Sequence, residues 1–144
     1  MDKTTIIVVE DNIVYCEFVC NMLAREGYRT VKAYHLSTAK KHLQQATDND
    51  IVVADLRLPD GNGIDLLRWM RKEGKMQPFI IMTDYAEVNT AVESMKLGSI
   101  DYIPKYCCPV KLFKQNKLGL TLLTRYQPFW LSLFCKKIYN HEQR

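Results

Sequence analysis

Thr4-Thr5-Ile6-Ile7-Val8-Val9-Glu10-Asp11-Asn12 is an apolar, β-branched run that stops abruptly at two carboxylates. A strand without polar alternation is one covered on both faces, as the strands of a parallel sheet are. Ile51-Val52-Val53-Ala54 repeats the pattern and stops at Asp55. Parallel sheets bind ligands beyond the carboxyl ends of their strands, where strand order reverses. Glu10, Asp11 and Asp55 are therefore expected to converge, and such a cluster asks for a divalent cation.

The rest of the first 105 residues alternates in the same way. Asn12 is placed to cap a helix with apolar positions Ile13, Cys16, Val19, Cys20 and Leu23, and Gly27 supplies its left-handed stop. Residues 28–34 read as a second strand, and Ser37 is expected to cap a helix through Ala39, Leu43 and Ala46. Residues 56–63 carry one proline and two glycines and read as loop. They lead into a helix over residues 64–71 closed by Gly74. Residues 79–82 form a fourth strand ending at Thr83. A helix over residues 87–97, apolar at Ala91, Val92, Met95 and Leu97, is ended by Gly98. A short fifth strand, residues 100–103, runs up to Lys105. Strands alternating with helices imply right-handed crossovers and a parallel sheet with helices on both faces, an α/β fold.

The chain has 144 residues, enough for one domain plus a tail. Its charge is uneven: residues 1–106 hold 13 Lys and Arg against 15 Asp and Glu, a balance of −2, and residues 107–144 hold 7 against 1, a balance of +6. Five cysteines with no signal peptide ahead of them argue against a secreted disulfide framework and for a cytoplasmic protein. Cys16 and Cys20 are one helical turn apart, but no second pair follows at zinc spacing, so core packing is expected of them. Thr121, Thr124, Arg125, Gln127 and Ser132 interrupt the most apolar stretch, so no membrane span is expected.

The strand ends carry a chemistry. Mg2+ takes oxygen ligands and is held by one or two carboxylates plus a phosphate, which Asp11 and Asp55 can supply. Beside the metal, an ionised Asp55 can attack a phosphoryl group in line. The Thr83 hydroxyl and the Lys105 ammonium can then serve the phosphoryl oxygens.

These motifs resemble the receiver domain of two-component response regulators, of the nitrogen-regulator type. The resemblance is carried by residues 8–12, 54–63, 81–87 and 98–105, four motifs in the family's order, and covers residues 4 to about 105. It implies the flavodoxin-like five-stranded sheet of order 2-1-3-4-5. It also implies Asp55 as phosphoacceptor and Glu10 and Asp11 as the acidic metal pair for Mg2+, with the backbone carbonyl of Arg57 completing the metal shell. Thr83 and Lys105 would bind the phosphoryl group, and Thr83 with Tyr102 would form the switch that reshapes the face of the fourth helix and fifth strand. The implied donor is a sensor histidine kinase or phosphotransfer protein, and a homodimer through helix 4, strand 5 and helix 5 is an implied assembly. The protein is then a phosphorylated switch and not a turnover enzyme.

Three departures from the family's pattern stand out. Tyr106 follows Lys105 where the family usually has a cis-linked proline; a non-proline cis bond costs about 2.5 to 4 kcal/mol, so a trans bond and an altered lysine aim are expected. Asp84 occupies a place commonly held by a small residue and should crowd an incoming phosphate, and Tyr85 should hinder hydrolytic water. The receiver is expected over residues 1–118, followed by a basic, aromatic tail, 119–144. That tail reads either as native or as the product of a truncated or frame-shifted coding sequence, and no DNA-binding domain is expected in the chain. Tyr126, Phe129, Trp130, Phe134 and Tyr139 could serve nucleic acid or a membrane surface, but packing or self-association is the plainer role. Two rivals concern the whole site. One is a degenerate receiver acting as an interaction module without phosphorylation. The other is a phosphatase of the haloacid-dehalogenase type, which would need an acid two residues past Asp55, where Arg57 stands.

Overall fold

The structure, a computed structural model, describes residues 4–83 and 88–104. All but the last lie in the first of the two units, Met1–Ile103 and Pro104–Arg144, into which the chain divides. In chain order the elements begin with β1 (Thr5–Val9), α1 (Ile13–Arg25), β2 (Arg29–Ala33), α2 (Leu36–Gln44) and β3 (Ile51–Asp55). A hairpin of two-residue strands, β4 (Arg57–Leu58) and β5 (Gly61–Asn62), leads to α3 (Gly63–Lys72). β6 (Phe79–Thr83), α4 (Val88–Lys96) and β7 (Asp101–Pro104) complete the series. The hairpin lies within the stretch expected to be loop.

The main sheet has the order β2-β1-β3-β6-β7, which is the 2-1-3-4-5 order once the hairpin strands are set aside. β1 runs parallel to both β2 and β3, and β3 runs parallel to β6. The uninterrupted apolar runs are explained by cover on both sides. Ile7, Val9, Val52, Ala54, Phe79 and Ile81 pack with Ala39 and Leu43 of α2 and Leu66, Leu67 and Met70 of α3. The alternate residues belong to the face of α1, where the Cys16 thiol reaches the Val8 carbonyl at 4.0 Å and the Tyr15 hydroxyl reaches Met82 Sδ at 3.9 Å.

α1 begins where expected, because Asn12 Oδ1 accepts from the Tyr15 amide at 3.0 Å. Gly27, at φ +91°, provides the left-handed residue after it. α2 differs from expectation. Ser37 is not its cap: it lies inside the helix, and the N-cap His35 makes no side-chain capping bond. The acceptor comes from the hairpin instead. Asp60 takes the Leu36 amide on Oδ1 at 2.8 Å and the Ser37 amide on Oδ2 at 3.1 Å. α3 carries a full capping box, with Asn62 and Asp65 exchanging bonds with each other's backbone region.

α4 also departs from its apolar pattern. Val88, Val92 and Met95 are exposed, and the buried residue of this helix is Ser94. Its hydroxyl donates to the Ala91 carbonyl at 2.8 Å and lies 3.5 Å from Ser99 Oγ, so burial leaves it satisfied. The end of α4 is held by Arg71 of α3, whose guanidinium donates to the carbonyls of Leu97, Gly98, Lys75 and Gln77.

Candidate functional site

The strand register assembles the carboxylates. Val9 is level with Ala54, so Glu10 follows alongside Asp55; Asp55 is level with Met82, so Thr83 stands one residue further up β6. One ligand oxygen from each of Glu10, Asp11 and Asp55 lies within 4.8 Å of the others. Glu10 is 1% exposed and Asp55 8%, whereas Asp11 is open to solvent. The pocket thus has two carboxylates in its floor and one at its mouth.

The backbone around the acidic pair is pinned from both sides. The Glu10 amide donates to the Ala33 carbonyl at 2.9 Å, which ties the loop to the end of β2. Glu10 Oε1 accepts from the Asn12 amide at 3.0 Å, and Asn12 in turn caps α1. Asp11 is therefore held between an anchored strand end and an anchored helix start. Three carboxylates this close repel one another unless a cation or protons intervene. All the donors are hard oxygens, the set that suits Mg2+, so these residues fit the metal that the family pattern implies.

Thr83 is fully buried at the end of β6. Tyr102 lies half-buried in β7 and, like Leu97, packs against the core that includes Ile81. Arg57 is exposed in β4, opposite Asn62 of β5. Asp84, Tyr85 and Lys105, expected at the site from the sequence, lie outside the described residues, as does the tail. Cys16 and Cys20 are buried as free thiols in the core beneath α1. The hydrogen bond with Cys20, together with burial, pushes the Cys16 thiol above its usual range. Among the described residues no metal-binding cluster includes either cysteine.

Two residues gain importance from the structure alone. A β-carbon on Gly63 would stand 2.3 Å from the carbonyl oxygen of Asp55, and the Gly63 amide donates to the Leu56 carbonyl at 2.8 Å. The start of α3 therefore rests directly on the backbone of the phosphoacceptor candidate. Asp60 ties the same hairpin to α2. The Leu36 and Ser37 amides hold its carboxyl below the usual carboxylate range. Both residues stand in the motif 54–63, but spacing along the chain does not reveal contacts with Asp55 or with a helix 24 residues away.

Comparison with known proteins agrees with this geometry. Residues 6–117 match the family model described as the response regulator receiver domain. The chain is 32% identical over 121 residues to the transcriptional regulatory protein ZraR of Klebsiella oxytoca, covering 84% of this chain and 26% of the relative. It is 37% identical over 115 residues to the regulatory protein AtoC of Escherichia coli K12, covering 80% and 23%. The chain thus spans about a quarter of the length of these curated relatives. Among solved structures, the non-phosphorylated HemR receiver domain from Leptospira biflexa is 34% identical, with a TM-score of 0.65 over 87% of this chain and 94% of that one. A response regulator receiver protein from Pseudomonas putida is 27% identical, with a TM-score of 0.70 over 79% and 95%. No helix among the described residues is long and apolar enough to cross a membrane. The match over most of its length, with the parallel sheet and the acidic pocket in place, establishes that the chain belongs to the response regulator receiver family and is a regulator's receiver, not a turnover enzyme.

Proposed function

We propose that this chain is the phosphoacceptor switch of a two-component system, working in the cytoplasm. In this reading Asp55 accepts a phosphoryl group from the phosphohistidine of a sensor histidine kinase or phosphotransfer protein. The observation that carries it is the convergence of Glu10, Asp11 and Asp55 within 4.8 Å at the carboxyl ends of adjacent parallel strands. Those carboxylates and the backbone carbonyl of Arg57 are the groups that would hold Mg2+. When bound, the cation offsets the negative charge of the nucleophile and the incoming phosphate.

An Asp55 carboxylate oxygen attacks phosphorus in line, the phosphorus–nitrogen bond to the donor imidazole breaks, and the imidazole leaves. The product is an aspartyl phosphate. Thr83 donates its hydroxyl to one phosphoryl oxygen, and Lys105 places its positive charge at another. Tyr102 then turns inward behind Thr83 and alters the face of α4 and β7. The exposed Val88, Val92 and Met95 on α4 support a partner or homodimer surface there, completed by the helix expected after Lys105. Asp84 slows phosphate entry and Tyr85 shields the product from water, giving a long-lived phosphoprotein.

The receiver occupies residues 1–118, a boundary supported by the family match ending at residue 117, and 119–144 form a separate basic tail. The names of ZraR and AtoC support a role for the output in gene regulation.

Incubation with acetyl phosphate and Mg2+, followed by intact mass, tests the reading. Wild type is expected to gain the mass of one phosphoryl group, labile to alkali, and Asp55→Asn to gain none. A wild type that stays unmodified while binding Mg2+ would indicate the phosphorylation-independent module instead.

A further inference from the structure

We infer that Asp60 is a positioning residue for the metal site, acting as a clasp that fixes the β4–β5 hairpin, and with it the Arg57 carbonyl, against the N-terminus of α2. The inference rests on the reading of Glu10, Asp11, Asp55 and the Arg57 carbonyl as the ligands of Mg2+.

The hairpin leaves the sheet directly after Asp55 and ends at Gly63, the first residue of α3, so its two ends are held together. Gly63 lies against the Asp55 backbone, and its amide bonds to the Leu56 carbonyl. Its tip is a separate matter. The strands are two residues each, too short to hold a conformation by themselves. What the tip touches is α2. Both carboxylate oxygens of Asp60 accept backbone amides there, from Leu36 at 2.8 Å and Ser37 at 3.1 Å. Gly61 sits at φ +150° so close to Leu36 that a β-carbon would stand 2.5 Å from its Cδ1 atom.

The helix needs this partner as much as the hairpin does. α2 starts without a side-chain cap of its own, so its first amides depend on Asp60. The end of β2, just before α2, also anchors the acidic loop through the bond from the Glu10 amide to the Ala33 carbonyl. The chain leading into α2 thus joins both loops that supply metal ligands, the one bearing Glu10 and Asp11 and the one bearing Arg57. A carbonyl ligand contributes fully only when its loop is held before the cation arrives; otherwise binding must order it.

The test is calorimetric titration of the full chain with magnesium chloride, alongside urea unfolding in metal-free buffer. Asp60→Ala is expected to weaken Mg2+ by about 10-fold. Asp60→Asn keeps one good acceptor and should fall between the two. Arg71→Met serves as a control that lowers stability at the far end of the domain, and it should bind Mg2+ within twofold of wild type. If Asp60→Ala loses stability but keeps wild-type affinity for Mg2+, the residue is only a helix cap and the inference is overturned. If wild type itself does not bind Mg2+, the reading of the site fails and the clasp fails with it. Should Asp60→Ala not fold, Asp60→Asn decides by the same comparison, together with exchange of the Leu36 amide in wild type. Mg2+ is expected to slow that exchange, and an unchanged rate overturns the inference.

Discussion

Gly63 shows how closely the site is built at the level of single atoms. Any β-carbon there would stand 2.3 Å from a backbone oxygen of Asp55, and backbone cannot swing aside as a flexible side chain can. Gly63→Ala is therefore expected to cost about 1 to 3 kcal/mol of stability, read by urea unfolding, and to slow phosphoryl uptake because the Asp55 strand end must shift. A variant as stable and as reactive as wild type would show that the helix start is not seated on the strand. The carboxylates themselves were legible in the sequence because two β-branched runs each stop at an acidic residue, and parallel pairing turns those stops into one edge. Asp60 and Gly63 were not, since their partners are a helix N-terminus 24 residues away and a backbone oxygen, neither of which leaves a mark in composition or spacing.

Helix ends carry the next set of consequences. Asp60→Ala removes both acceptors at the start of α2, and a cap of this kind contributes about 1 kcal/mol. The folded-state pKa of Asp60 is lowered, chiefly by the bond from the Leu36 amide, so its contribution is full above the ordinary carboxylate range and is lost as pH falls through that lower value. The stability gap between wild type and Asp60→Asn should hold steady at neutral pH and close in strong acid; a gap constant down to the lowest pH at which the fold persists would contradict it. At the other end of the domain, Arg71 serves four carbonyls from two segments. Arg71→Met should cost about 2 kcal/mol or more, because carbonyls served by a charged donor lose it together. Element types and order were largely readable, from Asn12 at the start of α1 to the glycines at Gly27, Gly74 and Gly98 that stop helices with positive φ. The face of α4 was not. Two of its apolar positions, Val92 and Met95, are exposed, whereas Ser94 is buried with its hydroxyl donating to the Ala91 carbonyl and accepting from Ser99 Oγ.

For the molecule as a whole, the strand order and the acidic edge follow from one arrangement: β1 lies at the reversal point, flanked by β2 and β3. Three carboxylates crowded there oppose folding in the absence of a cation, so Mg2+ should stabilise the domain by about 2.7 kcal/mol when present at 100 times its Kd. Thermal unfolding with and without the metal reads this shift, and Asp11→Asn should reduce it; an equal melting temperature in both conditions would remove the metal from the account. In the proposed reading Asp55, among the three carboxylates at this reversal point, is the one that carries the phosphoryl group. Borohydride reduction after acetyl phosphate and Mg2+ treatment, followed by peptide mass mapping, identifies the phosphorylated carboxylate directly. The account predicts reduction at Asp55 alone; an unreduced Asp55, or label at Asp11 or Glu10 instead, would contradict it.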